Sequence, residues 1–249
     1  MSQLQGNIAF VTGGSRGIGR ACALLFAQEG ADIAFNHLGD GERAQSFAAE
    51  VEALGRRVFH MECDMGHSAA VRDFAARATA ALGVPDILLN NAGMNIRGSF
   101  ETYAEADYDR MMDVHMKGMF VMAQAVYPAM VARGSGRIIN IASQLAMKGQ
   151  AGIVPYCAAK AGIMGFTRAL AHEAAPHGVL VNAIAPGAIT TDLTALRGPE
   201  WNAMMAATLP VRRMGVPQDI AYTALLLAGP GGANYAGATL SPNGGDVMH

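Results

Sequence analysis

Charge is scarce in this sequence and close to balanced. Eighteen lysines and arginines against 20 aspartates and glutamates leave a formal net charge of −2 over 249 residues. No basic stripe appears among them, so neither nucleic acid nor an anionic membrane is an expected partner. No apolar run reaches the roughly 18 consecutive residues that a spanning helix needs. Cysteine is rare: Cys22, Cys63 and Cys157 have no metal-ligand spacing, so no metal site is expected. An odd count of thiols without a secretory leader fits a reducing compartment, and the expected location is the cytoplasm. No Pro/Ser-rich linker, charge block, internal repeat or low-complexity tract divides the sequence, and the expectation is one domain over residues 1–249. A small molecule is the expected partner.

What is present is an alternation of short β-rich runs with longer Ala-rich stretches of helical character. The runs predicted as strands are Asn7 to Thr12, Asp32 to Asn36, Arg57 to Met61, Asp86 to Asn90, Arg137 to Ala142, Val179 to Ile184 and Ala238 to Pro242. Nearly continuous apolar strands separated by helices predict an α/β fold, with a mostly parallel sheet covered on both faces. Ligands of such sheets bind beyond the carboxyl ends of the strands, so functional residues should follow strands.

Four segments fall at those ends. The first, "TGGSRGIG" from Thr12 to Gly19, does not have the G-x-G-x-x-G spacing. Its glycines nevertheless allow the tight turn and close backbone approach that place a pyrophosphate at a helix N-terminus. "NNAG", Asn90 to Gly93, follows the fourth run, where polar side chains can tie neighbouring strands together. Ser143 follows the fifth, and "APGAITT", Ala185 to Thr191, the sixth. Beyond Ser143, Tyr156 and Lys160 stand four apart in "PYCAAKAGIMGFTRAL", a spacing that puts both on one helix face. Such a pair serves equally as surface neighbours or as an acid and its cation.

Taken together, "TGGSRGIG", "NNAG", Ser143, "YCAAK" and "PGAITT" resemble the short-chain dehydrogenase/reductase family in order and spacing, over essentially the whole chain. The resemblance implies a Rossmann-like doubly wound sheet of seven parallel strands, a homotetramer or homodimer, and hydride transfer between a nicotinamide cofactor and an alcohol or carbonyl. It makes Tyr156 the acid or base, Ser143 the group that fixes the substrate oxygen, and Lys160 the cation that favours the phenolate and holds the ribose. The cofactor-binding set it implies is Gly13, Ser15, Arg16, Gly17, Ile18, Gly19, His37, Asp64, Asn91, Ala92, Gly93, Tyr156, Lys160, Pro186, Gly187, Ile189 and Thr191. Asp64 fits the position that meets the adenine edge. His115 replaces the asparagine that relatives use to hold a relay water. An imidazole with its ordinary pKa near 6.5 can itself pass protons, or it simply fills the space.

Relatives that use NAD usually end the second strand with an acidic side chain; His37 stands there instead, and Arg16 is placed to meet a 2′-phosphate. NADP(H) is therefore favoured, with NAD(H) the alternative, and Asp40 is expected to cap the following helix. Substrate contacts are expected from Met94, Asn95, Gln144 and Trp201. Leu193, Leu196, Trp201, Met204 and Met205 form either an apolar lid, at about 192–215, or a packed surface helix. The positions where 3-oxoacyl carrier-protein reductases present arginines hold Gly134 and His177, with Arg133 adjacent, which favours a free ketone, sugar, polyol or hydroxy acid. The carrier-protein reductase remains the alternative. A nucleotide-binding redox sensor or structural subunit is the reading from a different class.

Overall fold

In the computed structural model, which describes residues 2–195 and 197–248, all seven expected strands form one parallel sheet. They are β1 (Ile8–Val11), β2 (Asp32–His37), β3 (Val58–Glu62), β4 (Ile87–Asn90), β5 (Gly136–Ile141), β6 (Val179–Ile184) and β7 (Thr239–Leu240). Their order across the sheet is β3-β2-β1-β4-β5-β6-β7, with every pairing parallel. The chain winds outward from β1 in one direction and from β4 in the other. The order therefore reverses between β1 and β4, and the two connections leave a crevice above their carboxyl ends.

Helices cover both faces. In chain order they are α1 (Gly17–Gln28), α2 (Gly41–Ala53), α3 (Ser68–Leu82), α4 (Glu105–Met112), α5 (Gly118–Arg133), α6 (Leu145–Lys148), α7 (Val154–Ala174), α8 (Asp192–Ala195), α9 (Gly198–Thr208) and α10 (Pro217–Ala228). The two-residue period of a strand divides the core. Ala9, Val11, Ile33, Phe35, Ile87 and Leu89 pack with α1, α2 and α10 side chains such as Phe26, Phe47 and Ile220. Phe10, Ala34, Leu88 and Ile138 point the other way, into α3, α5 and α7 through Phe74, Met122 and Ala171. Burial on both faces explains why the strands read as continuous apolar runs.

A polar thread runs through this apolar interior. Asn90 Nδ2 donates to Asn140 Oδ1 (2.9 Å), Asn140 Nδ2 donates to Thr167 Oγ1 (3.0 Å), and Thr167 Oγ1 donates to the Ile163 carbonyl (2.8 Å). Buried amides left without partners are costly, so these bonds fix α7 against β4 and β5 at one height. That height sets where Tyr156 and Lys160 emerge.

Candidate active site

The turn after β1 is built by two glycines in the left-handed region, Gly13 (φ 65°) and Gly17 (φ 55°). Gly19 is required for a different reason: a Cβ there would lie 2.2 Å from the Gly13 carbonyl oxygen and 2.4 Å from Asn91 Nδ2. Only glycine lets α1 start this close to the turn. No side chain caps the first turn of α1, so its free N–H groups and the positive end of its dipole face the crevice, an arrangement that suits a pyrophosphate. Thr12 Oγ1 accepts from the backbone N–H of Asn91 (2.9 Å) and Ala92 (3.0 Å), while Asn91 Nδ2 donates to the carbonyls of Thr12 (3.0 Å) and Gly13 (3.1 Å). These bonds tie the ends of β1 and β4 together, as the "NNAG" segment suggested. Ile18 is half-buried and packs on the core.

The other expected residues reach the same edge. Thr191 Cγ2 lies 3.7 Å from where a Gly17 Cβ would stand, and Ile189 is buried. The Pro186 carbonyl accepts from Gln144 N–H (3.0 Å). A Cβ at Gly187 would come within 2.6 Å of Asn243 Cα. After β3, burial pushes the Asp64 carboxyl up but is outweighed by hydrogen bonds from Arg110 and the Gly66 backbone, each 2.8 Å, and its pKa lies below the ordinary value.

Beyond β2 the structure corrects one expectation. Asp40 stands at the N-cap position of α2, yet its side chain makes no capping bond. Ser15 Oγ donates to it instead (2.7 Å), Arg16 Nε stands 3.9 Å away, and His37 Nδ1 is 3.6 Å from its second oxygen. A carboxylate missing from the end of β2 in the sequence is thus returned to the same place by the next turn. Asp40 Oδ1 and His37 Nδ1 are both buried without hydrogen-bond partners, so this corner has unused polar capacity for a ligand.

At the opposite side of the crevice, Pro155 opens α7, where its missing N–H costs nothing and its fixed φ suits a first turn. Lys160 is buried, and its Nζ donates to the Ile141 carbonyl at the end of β5 (2.7 Å), 5.7 Å from the centre of the Tyr156 ring. Burial pushes the ammonium down to about 7. Burial also pushes the Tyr156 phenol up, with the Ser143 hydroxyl the one influence favouring the phenolate. Lys160 is not among the influences on the phenol; desolvation of both groups prevails. Ser143 Oγ accepts from Leu145 N–H (3.1 Å), which leaves its own proton to donate to Tyr156 or to a substrate oxygen.

His115 departs further from expectation. It lies in a π-helical turn, Asp113–Lys117, between α4 and α5, a local widening that often marks functional positions. Its Nε2 is 2.8 Å from the Met94 carbonyl oxygen and 3.2 Å from Met94 N. The shorter contact favours Nε2–H donating to the carbonyl, with Nδ1 left as the acceptor; Nδ1 is buried and unpartnered. The ring stands edge-on to Tyr156, centroids 5.5 Å apart. Burial first, and the Lys160 charge second, lower its pKa to about 3 against the pull of the Met94 carbonyl. The imidazole is neutral throughout the physiological range, and the idea that it titrates near 6.5 is set aside. Beside it, Thr12, Asn90 and Ile141 line a cavity of about 10 Å³, roughly the room one water requires.

On the substrate side, Met94 is half-buried, while Asn95 Oδ1 and Gln144 Oε1 are buried without partners. Gln144 Nε2 and Lys148 Nζ both donate to Asp246, at 2.5 and 2.6 Å. Asp246 had no signal in the sequence, because only the return of the chain after β7 brings it here. Trp201 on α9 is half-buried beneath the Arg197 guanidinium, 4.5 Å from its ring centre. Of the other expected lid residues, Met204 is 57% exposed and turned to solvent, Met205 is half-buried, and Leu196 and the Leu193 side chain lie outside the described residues. Among the described residues, no group of three or more His, Cys, Asp or Glu side chains suited to a metal ion occurs, and no helix is long and apolar enough to cross a membrane.

Comparison with known proteins gives a consistent picture. The family described as short chain dehydrogenase matches residues 7–201. A subunit of (2S)-((R)-hydroxy(phenyl)methyl)succinyl-CoA dehydrogenase from Thauera aromatica is 39% identical over 242 residues, 97% of each chain. A 3-oxoacyl-(acyl-carrier-protein) reductase from Staphylococcus epidermidis is 35% identical over 240 residues, 96% of this chain and 98% of the relative. Among solved structures, a blue fluorescent protein from a metagenomic library, in complex with NADPH, superposes with a TM-score of 0.94 at 39% identity, covering 99% and 100% of the two chains. A short chain dehydrogenase from Burkholderia cenocepacia, in complex with NADP, gives 0.91 at 36% identity, covering 97% and 98%.

The buried lysine gives a test through folding stability. Its pKa falls from 10.5 to about 7 on folding, so between those values the unfolded chain binds a proton that the folded chain has released. Stability from this group therefore rises with pH across that window, by at most about 1.4 kcal/mol per unit. Lys160→Met removes the slope. Urea unfolding from about pH 7 to about pH 8.5 should find the variant more stable at the lower pH and the gap closing as pH rises; parallel pH profiles would contradict the depressed lysine.

Proposed function

We propose that this chain, which belongs to the short-chain dehydrogenase family, is an NADP(H)-dependent oxidoreductase interconverting a secondary alcohol and a ketone on a free small substrate. The observation that carries the reading is the convergence of Ser143, Tyr156 and Lys160 on one crevice with an uncapped glycine turn beside it. NADP(H), when bound, supplies the hydride chemistry. The glycine turn and the N-terminus of α1 would hold its pyrophosphate, and Lys160 its ribose.

Within this scheme Tyr156 moves the proton. A phenol is protonated at neutral pH, and burial raises its pKa further, so it enters as the donor that reduction of a carbonyl requires. Ser143, with its oxygen already accepting from Leu145, donates to the substrate oxygen and fixes it while charge develops. Lys160 is anchored by Ile141 and stabilises the phenolate once formed. His115 acts as a neutral group that orients the Met94 backbone and offers Nδ1 to a proton path through the adjoining cavity. Met94, Asn95, Gln144 and Trp201 contact substrate, and the segment at about 192–215 closes over it. The exposed Tyr108 and Phe120 on α4 and α5 support a homo-oligomer.

The carrier-protein alternative is disfavoured by where Arg133 goes. Its guanidinium donates to the carbonyls of Val84, Pro85 and Ser135 and pairs with Asp86 (3.1 Å). These residues precede β4 and β5, at the amino edge of the sheet, so the arginine is both engaged and remote from the crevice.

The cofactor's 2′-phosphate meets a mixed corner: Arg16 attracts it and Asp40 repels it. Asp40→Ser should tighten NADPH binding about tenfold relative to NADH, read by equilibrium titration of reduced-nicotinamide fluorescence; an unchanged ratio would remove Asp40 from cofactor choice. Tyr156→Phe should lower turnover by a factor of about 10² to 10⁴ and leave cofactor affinity within about threefold. Turnover equal to the parent's would reject Tyr156 as the proton donor.

A further inference from the structure

Beyond β7 the chain doubles back as a strap, Ser241 to Val247, built around one buried asparagine. Asn243 Oδ1 accepts from Gly245 N–H (2.8 Å), and its Nδ2 donates to Ser241 Oγ (2.9 Å) and to the Val247 carbonyl (2.8 Å). Gly244 and Gly245 both lie in the left-handed region (φ 69° and 87°). A Cβ on the first would stand 2.8 Å from Val211 Cγ2, and on the second 2.7 Å from Pro210 Cγ, so only glycine serves at either position. On one side the strap is bonded to the segment after β6: Ser241 Oγ donates to the Ala185 carbonyl (2.9 Å), and Gly187 N–H to the Pro242 carbonyl (3.2 Å). On the other, Val211 N–H donates to the Gly244 carbonyl (3.3 Å). This bracing delivers Asp246 to α6.

There a single oxygen, Asp246 Oδ2, accepts from Gln144 Nε2 (2.5 Å) and Lys148 Nζ (2.6 Å). An ionised carboxylate only accepts, so the Gln144 amide must turn its nitrogen to Asp246 and its oxygen away. The backbone of the same residue is fixed as well, since Gln144 N–H donates to the Pro186 carbonyl (3.0 Å). Gln144 is only 4% exposed, and its Oε1 is buried without a partner. A buried acceptor in that state is costly unless a ligand donates to it, and the flip that would relieve it is barred by the carboxylate. The orphaned oxygen belongs to the residue next to Ser143, whose hydroxyl acts on the Tyr156 phenol.

We propose that Asp246 is a positioning residue: it holds Gln144 with Oε1 presented as an acceptor beside Ser143, and so selects a substrate with a hydroxyl on the carbon next to the reacting one, an α-hydroxy ketone or its vicinal diol. The reacting carbon rests on the hydride-transfer reading above; the acceptor rests on the contacts of Asp246.

The test compares ketones that differ only in that hydroxyl: 3-hydroxy-2-butanone with 2-butanone, and 2-hydroxycyclohexanone with cyclohexanone. NADPH oxidation by the parent, Asp246→Ala and Asp246→Asn gives kcat and KM for each. The intrinsic reactivities of the ketones cancel when a variant's preference is divided by the parent's. In at least one pair, Asp246→Ala should lose about tenfold or more of the parent's preference for the hydroxy ketone, chiefly through KM, and keep kcat/KM on the plain ketone within about threefold. Asp246→Asn should hold the preference within about threefold of the parent's, because Lys148 donates to the introduced carbonyl oxygen and keeps that oxygen facing Gln144 Nε2. Equal losses on both members of each pair would reduce Asp246 to a structural brace and overturn the proposal, as would an unchanged preference in Asp246→Ala. Should none of the ketones oxidise NADPH, the hydride-transfer reading is what fails, and dissociation constants for the same pairs, read by ligand-observed NMR, decide the role of Asp246 by the same ratio.

Discussion

The reversal of strand order between β1 and β4 is the constraint on which the rest of the molecule depends. It opens a crevice because neighbouring connections leave in opposite directions, and the bonds from Asn91 and Ala92 to Thr12 hold that crevice at fixed width. Everything with chemical capacity then falls at one edge. The glycine turn follows β1, the Asp40 corner follows β2, and Met94 and Asn95 follow β4. Ser143 follows β5, and the Pro186 to Thr191 segment follows β6. Ridding Gly19 of its hydrogen for a methyl would strike the Gly13 carbonyl, so even the pitch of α1 is dictated by this junction.

Desolvation is the second organising force. Lys160, Tyr156 and His115 are packed within reach of one another, and burial moves each away from its charged form. This gives a phenol, a lysine poised near neutrality and a neutral imidazole. Such a site holds little fixed charge at its reacting end. It is sensitive to whatever charge a ligand introduces, because interactions in a dry pocket are weakly screened.

Much of this was legible in the sequence, for reasons that can be named. The seven strands were visible because burial on both faces leaves uninterrupted apolar runs, and their predicted bounds lie within a residue or so of those observed. Tyr156 and Lys160 were legible because a helix fixes the geometry of residues four apart. What stayed hidden depends on tertiary approach or on dielectric. Asp40 looked like a helix cap because a loop's direction is not written in spacing, and only the fold shows Ser15 reaching it first. His115 looked titratable because a sequence carries no burial, and the π-turn that turns it onto Met94 has no simple pattern. Asp246 became part of the site only when the chain after β7 was brought back to Gln144 and Lys148.

The central claim is that this crevice moves a hydride between NADP(H) and a carbonyl carbon. The most direct test supplies NADPH deuterated at the transferable position, together with a panel of oxo acids, ketones and 3-oxoacyl thioesters, and follows the label by mass spectrometry. The account predicts deuterium on the carbinol carbon of one compound class, with the hydroxyl proton drawn from water. Consumption of NADPH with the label lost to solvent, or tight NADPH binding with no labelled product from any class, would contradict it.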